Sequence, residues 1–397
     1  LRLFARVDLP AAENAAAGRE RLRLLLSALN NAPGVAEAWA LPIASPSSLP
    51  GSHVSASKSA GRGGAGDPAW EEATANPASA HPAPAGPTGH GVSPQNLPEH
   101  RSDTPDFSPL QGYLHDSPVG VWADSAWTFA GGKGAGVKVL SLEWGWLFTH
   151  EDLKPPFHYG NDQGPSDHGT AVIGIVGGQH NGYGINGMAP DAEIGAIHLG
   201  DLAGGILEAI SVLAPGDLYN MSIQVGGPES WMPTEWWPDC FAAIQTGAAL
   251  GVICLEAAGN GSVNLDDPRY GDYFDRRVRD SGAIMAGAGT PNGLDGEWFT
   301  NHGERVSLQG WGSSVVTTCC GDLQGGDPEV LYTAGFNGTS SATPILSGTV
   351  ASFQGQAKAL FGSPLTPALM EEILSVTGTP YNGAKKIGER RVGKECS

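Results

Sequence analysis

The sequence has few cysteines, few basic residues and no long apolar run. Five cysteines in 397 residues are too few for a disulfide framework. Lys and Arg number 22 against 41 Asp and Glu, a formal charge of −19. This charge argues against a nucleic-acid partner, because phosphate binding needs a basic surface, although acidity also simply favours solubility. No apolar run approaches the roughly 18 residues of a membrane span, so no membrane partner is expected.

The cysteine positions give two expectations about disulfides. Cys319 and Cys320 are adjacent, and we do not expect them to bridge each other. Cys240 or Cys254 could form a bridge, which the sequence does not decide.

The composition divides the chain into four segments. Residues 1–45 contain a strand–helix–strand pattern and predict a small α+β segment. Residues 46–106 are rich in Ser, Pro, Ala and Gly and predict a linker, since they bury too little apolar surface to offset ordering entropy. Residues 107–388 have a globular composition. Residues 389–397 resemble a translated sequencing adapter and are interpreted as a non-native tail, and the start at Leu1 without a signal peptide indicates a fragment or processed form.

Strand-like and helix-like patterns alternate through residues 107–388. The apolar runs VKVLSL, AEIGAIHL, DLYNMSI and VICLEAAG alternate with the helical patterns GTAVIGIVGG, GGILEAISVLA and CFAAIQTGAALG. This alternation predicts an α/β fold with a doubly wound, mostly parallel sheet and helices on both faces.

Three short motifs hold residues that can perform chemistry. DHGTAV places His168 at the start of an apolar helix, where a lone histidine is more often structural. NGTSSATP places Ser340 at a helix N-terminus, which suits a developing anion but also a simple N-cap. AAGN places Asn260 after a strand, where its amide can donate to an oxyanion or serve as a turn residue.

A carboxylate precedes these three motifs. The apolar run from Val137 ends on Glu143, with Trp144 and Trp146 beside it. The order carboxylate, histidine, serine suits a nucleophilic serine whose base is oriented by an acid. No G-x-S-x-G motif is present, so an α/β-hydrolase elbow is unsupported.

The motifs together resemble the subtilisin-like serine proteases, the subtilases, over about residues 112–388. The resemblance implies that Ser340 is the nucleophile, that His168 is the general base and acid, and that Asn260 donates to the oxyanion together with the Ser340 backbone N–H. The blocks that carry it are GKGAGVKVLSLE, THEDL, DHGTAV, INGMAP, YNMSI, AAGN, FTNHGERVSLQGWG and NGTSSATPILSG.

The resemblance also implies two parts of a substrate site. One is a strand that pairs with the substrate backbone: Ile223, Gln224, Val225, Gly226 and Gly227. The other is a wall of small residues, with room for a bulky side chain before the scissile bond: Ala257, Ala258 and Gly259.

Glu143 stands where this family usually has Asp. The pKa values of free Glu and Asp are similar, but Glu is one methylene longer, so the partner histidine must lie further away. We interpret the set as a Glu–His–Ser triad. The related sedolisins use Ser with Glu and Asp, and His168 in its HGT context argues against that reading.

Two acidic positions have open interpretations. Glu256, on the strand before Asn260, either pairs with a structural partner or recognises a basic substrate side chain. Asp152 and Asn181 resemble oxygen ligands of a structural calcium site, with a turn or cap role for Asp152 as the alternative. The chemistry itself needs no cofactor.

The resemblance implies a secreted serine endopeptidase made as a zymogen. Residues 1–45 would be its inhibitory propeptide, and an unrelated N-terminal extension is the alternative. The partners are then a protein or peptide substrate and the chain's own propeptide, and we expect a monomer. A non-catalytic subtilase-like binding protein and a peptide-processing or transpeptidating enzyme are the competing functions. Specificity is not readable, although the chain's acidity weakly favours basic substrates.

Overall fold

A computed structural model describes residues 103–117, 119–160, 164–291 and 295–379. The predicted propeptide-like segment and tail, and the linker up to residue 102, lie outside the described residues. The described strands, in chain order, are β1 (Lys138–Glu143), β2 (Tyr159–Gly160), β3 (Glu193–His198), β4 (Leu218–Met221), β5 (Val225–Gly226), β6 (Trp231–Met232), β7 (Ile253–Ala257), β8 (Ile284–Gly289), β9 (Leu308–Trp311), β10 (Val315–Thr318) and β11 (Tyr332–Phe336).

Seven of these strands form one parallel sheet. Their order is β2-β3-β1-β4-β7-β8-β9, so the chain builds outward from β1 in both directions. Strands β5 and β6 form an antiparallel hairpin, and β10 pairs antiparallel with β11. The parallel sheet, with crossover helices between its strands, confirms the predicted α/β class.

Helices cover both faces of the sheet. Helices α2 (Asp167–Gly177) and α5 (Thr339–Phe361) pack on one face, and α3 (Leu202–Val212) and α4 (Pro238–Ala249) pack on the other. None of the described helices is long and apolar enough to cross a membrane. The helices are α1 (Ala123–Ala126), α2 (Asp167–Gly177), α3 (Leu202–Val212), α4 (Pro238–Ala249), α5 (Thr339–Phe361) and α6 (Pro367–Thr377), with 3₁₀ turns at Ser108–Leu110, Gly112–Leu114, Thr234–Trp236, Pro268–Tyr270 and Pro328–Val330.

The alternation along β1 decides where its terminal carboxylate points. Val139 lies in the core shared with α2 and α5, while Leu140 and Leu142 lie in the core shared with α3 and α4. Successive side chains of a strand point to opposite faces. Glu143 is therefore directed to the α2 face, and α2 is the helix that carries His168.

Strand β10 is fastened to helix α2 by two threonines. The Thr317 hydroxyl donates to the Ala171 carbonyl and the Thr318 hydroxyl to the Thr170 carbonyl, each at 2.8 Å. Strand β11 then leads into α5, which carries Ser340. The β10–β11 pair therefore links the helices that carry the two candidate catalytic residues.

The cysteine expectations are corrected by the structure. Cys319 and Cys320 form a disulfide, although we expected no bridge between them. Both residues adopt positive φ, 111° and 74°, a turn at the end of β10 that lets neighbouring side chains meet. Cys240 and Cys254 are buried free thiols and do not form the bridge that the sequence left open.

The globular domain reaches slightly further towards the N-terminus than its composition indicated. Within the last residues of the predicted linker, the Thr104 hydroxyl donates to Glu151 Oε1 at 2.6 Å. The Gly184 N–H donates to the Pro105 carbonyl at 2.8 Å. Residues 104 and 105 therefore already contact the domain.

Candidate active site

Glu143 and His168 form a buried pair. Nδ1 of His168 lies 3.2 Å from Oε1 of Glu143, and the two side chains are 14% and 1% exposed. The ring N–H is not aligned closely enough on the carboxylate to make a full hydrogen bond. Burial opposes charging of His168, but the carboxylate outweighs it, so the pKa of His168 is raised above its ordinary value.

The residues after Glu143 set the distance between strand and helix. Trp146 is buried, and its indole N–H donates to the Ser141 hydroxyl at 3.2 Å. The Leu147 N–H donates to the Thr170 hydroxyl on α2 at 2.9 Å. A Cβ at Gly169 would lie 3.0 Å from the Trp146 ring, so α2 packs tightly on this segment. The bulk beside Glu143 thus holds α2 where the longer carboxylate can reach His168.

Ser340 is the second residue of the long helix α5. Gly338 precedes the helix with a φ of 90°, a conformation that glycine adopts without strain. The first backbone N–H groups of a helix have no intrahelical acceptor, so they can donate to an anion at Ser340. In this state the Ser340 hydroxyl donates to the Ser222 carbonyl at 3.0 Å. The predicted transfer of its proton to His168 requires the hydroxyl first to turn away from this carbonyl.

Asn260 is held with its amino group available as a donor. Its Oδ1 accepts from the Thr339 N–H at 2.9 Å and the Thr339 hydroxyl at 3.0 Å. These two bonds fix the amide orientation, because Oδ1 must face the donors. The Asn260 N–H donates to Gln224 Oε1 at 2.8 Å. Nδ2 is therefore the end that can stabilise an oxyanion next to Ser340.

His168, Asn260 and Ser340 line one cleft of about 350 Å³. In the part of the chain that the structure describes, no Lys, Arg, Asp or Glu lines this cleft. Its apolar lining consists of Trp144, Ile223, Trp231, Trp298 and Phe299. Trp298 is 76% exposed, so the rim of the cleft offers an accessible aromatic surface.

The predicted substrate strand lies partly on the cleft. Ile223 and Gln224 line it, whereas Val225 is buried and pairs with Met232 in the β5–β6 hairpin. Gly226 is the exposed residue of β5, and the Gly227 N–H closes the hairpin by donating to the Ser230 carbonyl. Pairing of this strand with a substrate stays a prediction.

The predicted wall of small residues lies behind the cleft lining. Ala257 and Ala258 are buried, at 1% and 0% exposure. A Cβ at Gly259 would lie 3.3 Å from the Trp231 carbonyl oxygen, so the β5–β6 hairpin packs on this segment. The hairpin therefore packs against Gly259, and a substrate role for these three residues stays a prediction.

Glu256 has a structural partner, and both lie on the face of the sheet opposite helix α2. Arg305 donates to both oxygens of Glu235 at 2.6 Å and lies 3.5 Å from Glu256. Glu256 also accepts from the Glu235 N–H at 3.2 Å. Burial and the neighbouring Glu235 raise the pKa of Glu256 well above its ordinary value. Of the two interpretations left open, these contacts favour the structural one.

Asp152 and Asn181 are adjacent but do not offer a calcium site. Asp152 is buried, and its Oδ1 accepts from Asn181 Nδ2 at 2.6 Å. Its Oδ2 accepts from the Ile185 N–H at 2.7 Å and the Tyr332 hydroxyl at 3.0 Å. Asn181 presents a nitrogen, and its own oxygen accepts from the Tyr183 N–H. These donors occupy the oxygens that a hard cation requires, so the residues present do not fit calcium.

Sequence reasoning missed Asn301. It is fully buried and hydrogen-bonded to the segment around Asn260. The sequence carried one signal, the glycines on both sides of Asn260, which allow another group to approach that backbone closely.

The fold and this cleft define an α/β serine hydrolase in which a carboxylate–histidine pair, a helix-terminal serine and a side-chain amide meet. The sequence model of the Subtilase family matches residues 143–393, more than half of the 397-residue chain. The chain therefore belongs to the subtilase family. The predicted enzyme class, a serine endopeptidase, is confirmed.

Individual relatives are distant. The "Intracellular serine protease" of Paenibacillus polymyxa is 27% identical over 277 residues, which cover 64% of this chain and 78% of that protein. The "Minor extracellular protease Epr" of Bacillus subtilis (strain 168) is 27% identical over 237 residues, 56% of this chain but 33% of that protein. A solved protease structure from Pseudoalteromonas arctica PAMC 21717 has a TM-score of 0.53 and 22% identity, covering 72% of this chain and 97% of that one. That likeness supports the fold.

Proposed function

We propose that the chain hydrolyses peptide bonds with a Glu143–His168–Ser340 triad and an oxyanion hole that contains Asn260. The observation that carries this proposal is that Ser340, His168 and Asn260 line one cleft, with buried Glu143 3.2 Å behind the His168 ring. A binder would not need a serine at a helix N-terminus in the same cleft as a histidine of raised pKa.

The reaction follows from these positions. The Ser340 hydroxyl gives its proton to His168 as its oxygen attacks the substrate carbonyl carbon. The carbonyl electron pair moves to the oxygen, which Asn260 Nδ2 and the α5 N-terminus stabilise. Protonated His168 returns the proton to the leaving amine, and water then hydrolyses the acyl-enzyme. Glu143 stabilises the imidazolium throughout, because it is the charge next to Nδ1.

The cleft lining suggests the kind of side chain that it accepts. With aromatic groups and no charged side chain among its described lining residues, it suits neutral, apolar residues of a peptide. This preference replaces the weak expectation of basic substrates, which rested on net charge alone.

The proposal includes synthesis as a secreted zymogen, with residues 1–45 as the inhibitory segment. Its support is the small folded pattern before a Pro- and Ser-rich linker. The relatives include proteins with extracellular and intracellular in their names, so location requires a direct measurement.

A fluorophosphonate probe tests the reaction. Intact mass should show a single adduct on wild type, none on Ser340→Ala, and loss of the N-terminal segment before labelling. No adduct on matured wild type would reject the triad and favour the non-catalytic binder. Product masses from a peptide digest then separate hydrolysis from peptide ligation.

A further inference from the structure

Asn301 is a buried residue whose hydrogen bonds lie on both sides of Asn260. Its Nδ2 donates to the Ala258 carbonyl at 2.7 Å. Its Oδ1 accepts from the Gly261 N–H at 3.0 Å and the Val263 N–H at 2.9 Å. The backbone N–H of Asn301 donates to the Gly259 carbonyl at 2.9 Å. One residue thus holds residues 258–263, here called the oxyanion loop.

The glycines of the oxyanion loop allow this close approach. A Cβ at Gly259 would lie 2.8 Å from Asn301 Nδ2, and a Cβ at Gly261 would lie 2.9 Å from Asn301 Oδ1. Gly259 also has a φ of 95°, which other residues rarely adopt. The Asn301 amide and the turn therefore require Gly259, while Gly261 is required by Asn301 and by the Trp231 carbonyl oxygen, which would lie 2.5 Å from its Cβ.

The same amide also binds the backbone of Trp231, a residue of the cleft lining. Nδ2 of Asn301 donates to the Trp231 carbonyl at 2.8 Å, and Trp231 also lines the cleft. The amide thus makes two donor and two acceptor hydrogen bonds, which is its full complement of donor hydrogens and acceptor lone pairs. A fully satisfied buried amide has one orientation, so it can fix the oxyanion loop and Trp231 relative to each other.

We propose that Asn301 is a positioning residue for catalysis. It holds Asn260 Nδ2 where the oxyanion forms, and it fixes the oxyanion loop relative to Trp231. It lies behind the cleft lining and acts through Asn260. The inference rests on the proposed function, since it requires Asn260 to be the oxyanion donor. A residue that only stabilises the fold would change activity whether or not Asn260 is present.

A double-mutant cycle separates these two roles. Asn260→Ala should lower kcat by about 10²–10³, the usual cost of one oxyanion donor. Asn301→Ser should lower kcat by about 10-fold with KM changed less than about 2-fold, because the loss occurs in the transition state. In the Asn260→Ala background, Asn301→Ser should lower kcat by less than about 2-fold. Equal losses in both backgrounds would overturn the inference.

A peptide aldehyde gives a second readout on the same four proteins. Ser340 Oγ adds to the aldehyde carbon, its proton passes to His168, and the carbonyl electron pair moves to the oxygen that faces Asn260. Asn301→Ser should weaken aldehyde inhibition by about 10-fold, and by less than about 2-fold when Asn260 is already Ala. An unchanged inhibition constant in the single variant would contradict the proposal.

Two further variants control for folding. Ser352→Ala removes a buried hydroxyl that donates to the Gly132 carbonyl at 2.7 Å, in the half of α5 far from Ser340, and should leave kcat unchanged. If Asn301→Ser does not fold, Gly261→Ala perturbs the same contact from the loop side, and its loss of kcat should also vanish without Asn260. Wild type that does not label at Ser340 would reject the proposed function itself, which is a separate outcome.

Discussion

Nδ1 of His168 lies 3.2 Å from Oε1 of Glu143, and among the described residues neither atom has another hydrogen-bond partner. The carboxylate is buried, at 1% side-chain exposure, so its charge acts on the imidazole with little screening by water. Glu143 thus lies at the position that the proposed triad requires of its carboxylate.

Glu143→Gln should lower kcat/KM by about 10⁴, because the amide neither stabilises the imidazolium nor enforces the ring tautomer. Glu143→Asp keeps the charge but moves it further from His168 by one methylene, so its loss of kcat/KM should be smaller than that of Glu143→Gln. Steady-state kinetics on a chromogenic peptide measure both losses. Full activity of Glu143→Gln would exclude Glu143 from the triad.

The pH dependence of kcat/KM should report the raised pKa of His168. A general base must be neutral, so kcat/KM should rise with pH, with a midpoint above the ordinary histidine value of 6.5. Glu143→Gln removes the charge and leaves the burial, so its midpoint should move to lower pH. The residual activity of that variant, followed from pH 5 to 9, would contradict the electrostatic explanation if its midpoint did not move.

Glu256→Gln should stabilise the protein at pH 8 and leave it almost unchanged at pH 4. The pKa of Glu256 in the folded protein is raised well above its ordinary 4.5. As pH rises from that ordinary value towards the raised one, the folded protein keeps a proton that the unfolded chain has released, so stability declines. Gln has no proton to lose and should remove this decline. Calorimetry at the two pH values checks the difference, and an equal loss of Tm at both would mean that Glu256 is ionised when folded.

Calcium should not stabilise the protein through Asp152. Both oxygens of Asp152 accept protein hydrogen bonds, and burial raises its pKa to about 7, which also disfavours the charged ligand. The difference in Tm between wild type and Asp152→Asn should be the same in calcium and in a chelator. A difference that grows with calcium would show that a site forms here.

Reduction of the Cys319–Cys320 disulfide should release two thiols. A dithiol reductant supplies the two electrons and two protons, and alkylation in denaturant before and after reduction should differ by two labels. Because the closed loop is so short, the Cys319→Ser/Cys320→Ser variant should lose only about 1 kcal/mol of stability. A larger loss, or no increase in labels, would contradict the assignment.

The sequence was sufficient to predict the sheet and three residues that share the cleft, because strand period and motif order are local signals. VKVLSLE predicted both β1 and its terminal carboxylate, and the helix that begins with DHGTAV carries His168 as expected. The contacts it could not supply are long-range ones. Asn301 is 41 positions from Asn260, in the block FTNHGERVSLQGWG to which no site role was assigned, and the partner of Glu256 is an arginine almost 50 residues later.

The disulfide was missed for a related reason. Bridging of Cys319 and Cys320 depends on two consecutive positive φ angles, which residue type does not indicate. How closely the β5–β6 hairpin approaches Gly259 likewise depends on where the chain folds back, and the Trp231 carbonyl oxygen would lie 3.3 Å from a Cβ placed there.

The ion pair between Arg305 and Glu235 also limits how this enzyme can be re-engineered. Glu235 follows directly after the hairpin that lines the cleft, while Arg305 belongs to the loop before β9. A graft that exchanges residues 223–237 for another loop would remove the carboxylate that Arg305 binds through both oxygens and leave the buried cation with Glu256 alone, 3.5 Å away, which costs several kcal/mol. Libraries that vary the hairpin to change substrate specificity must therefore vary position 305 at the same time.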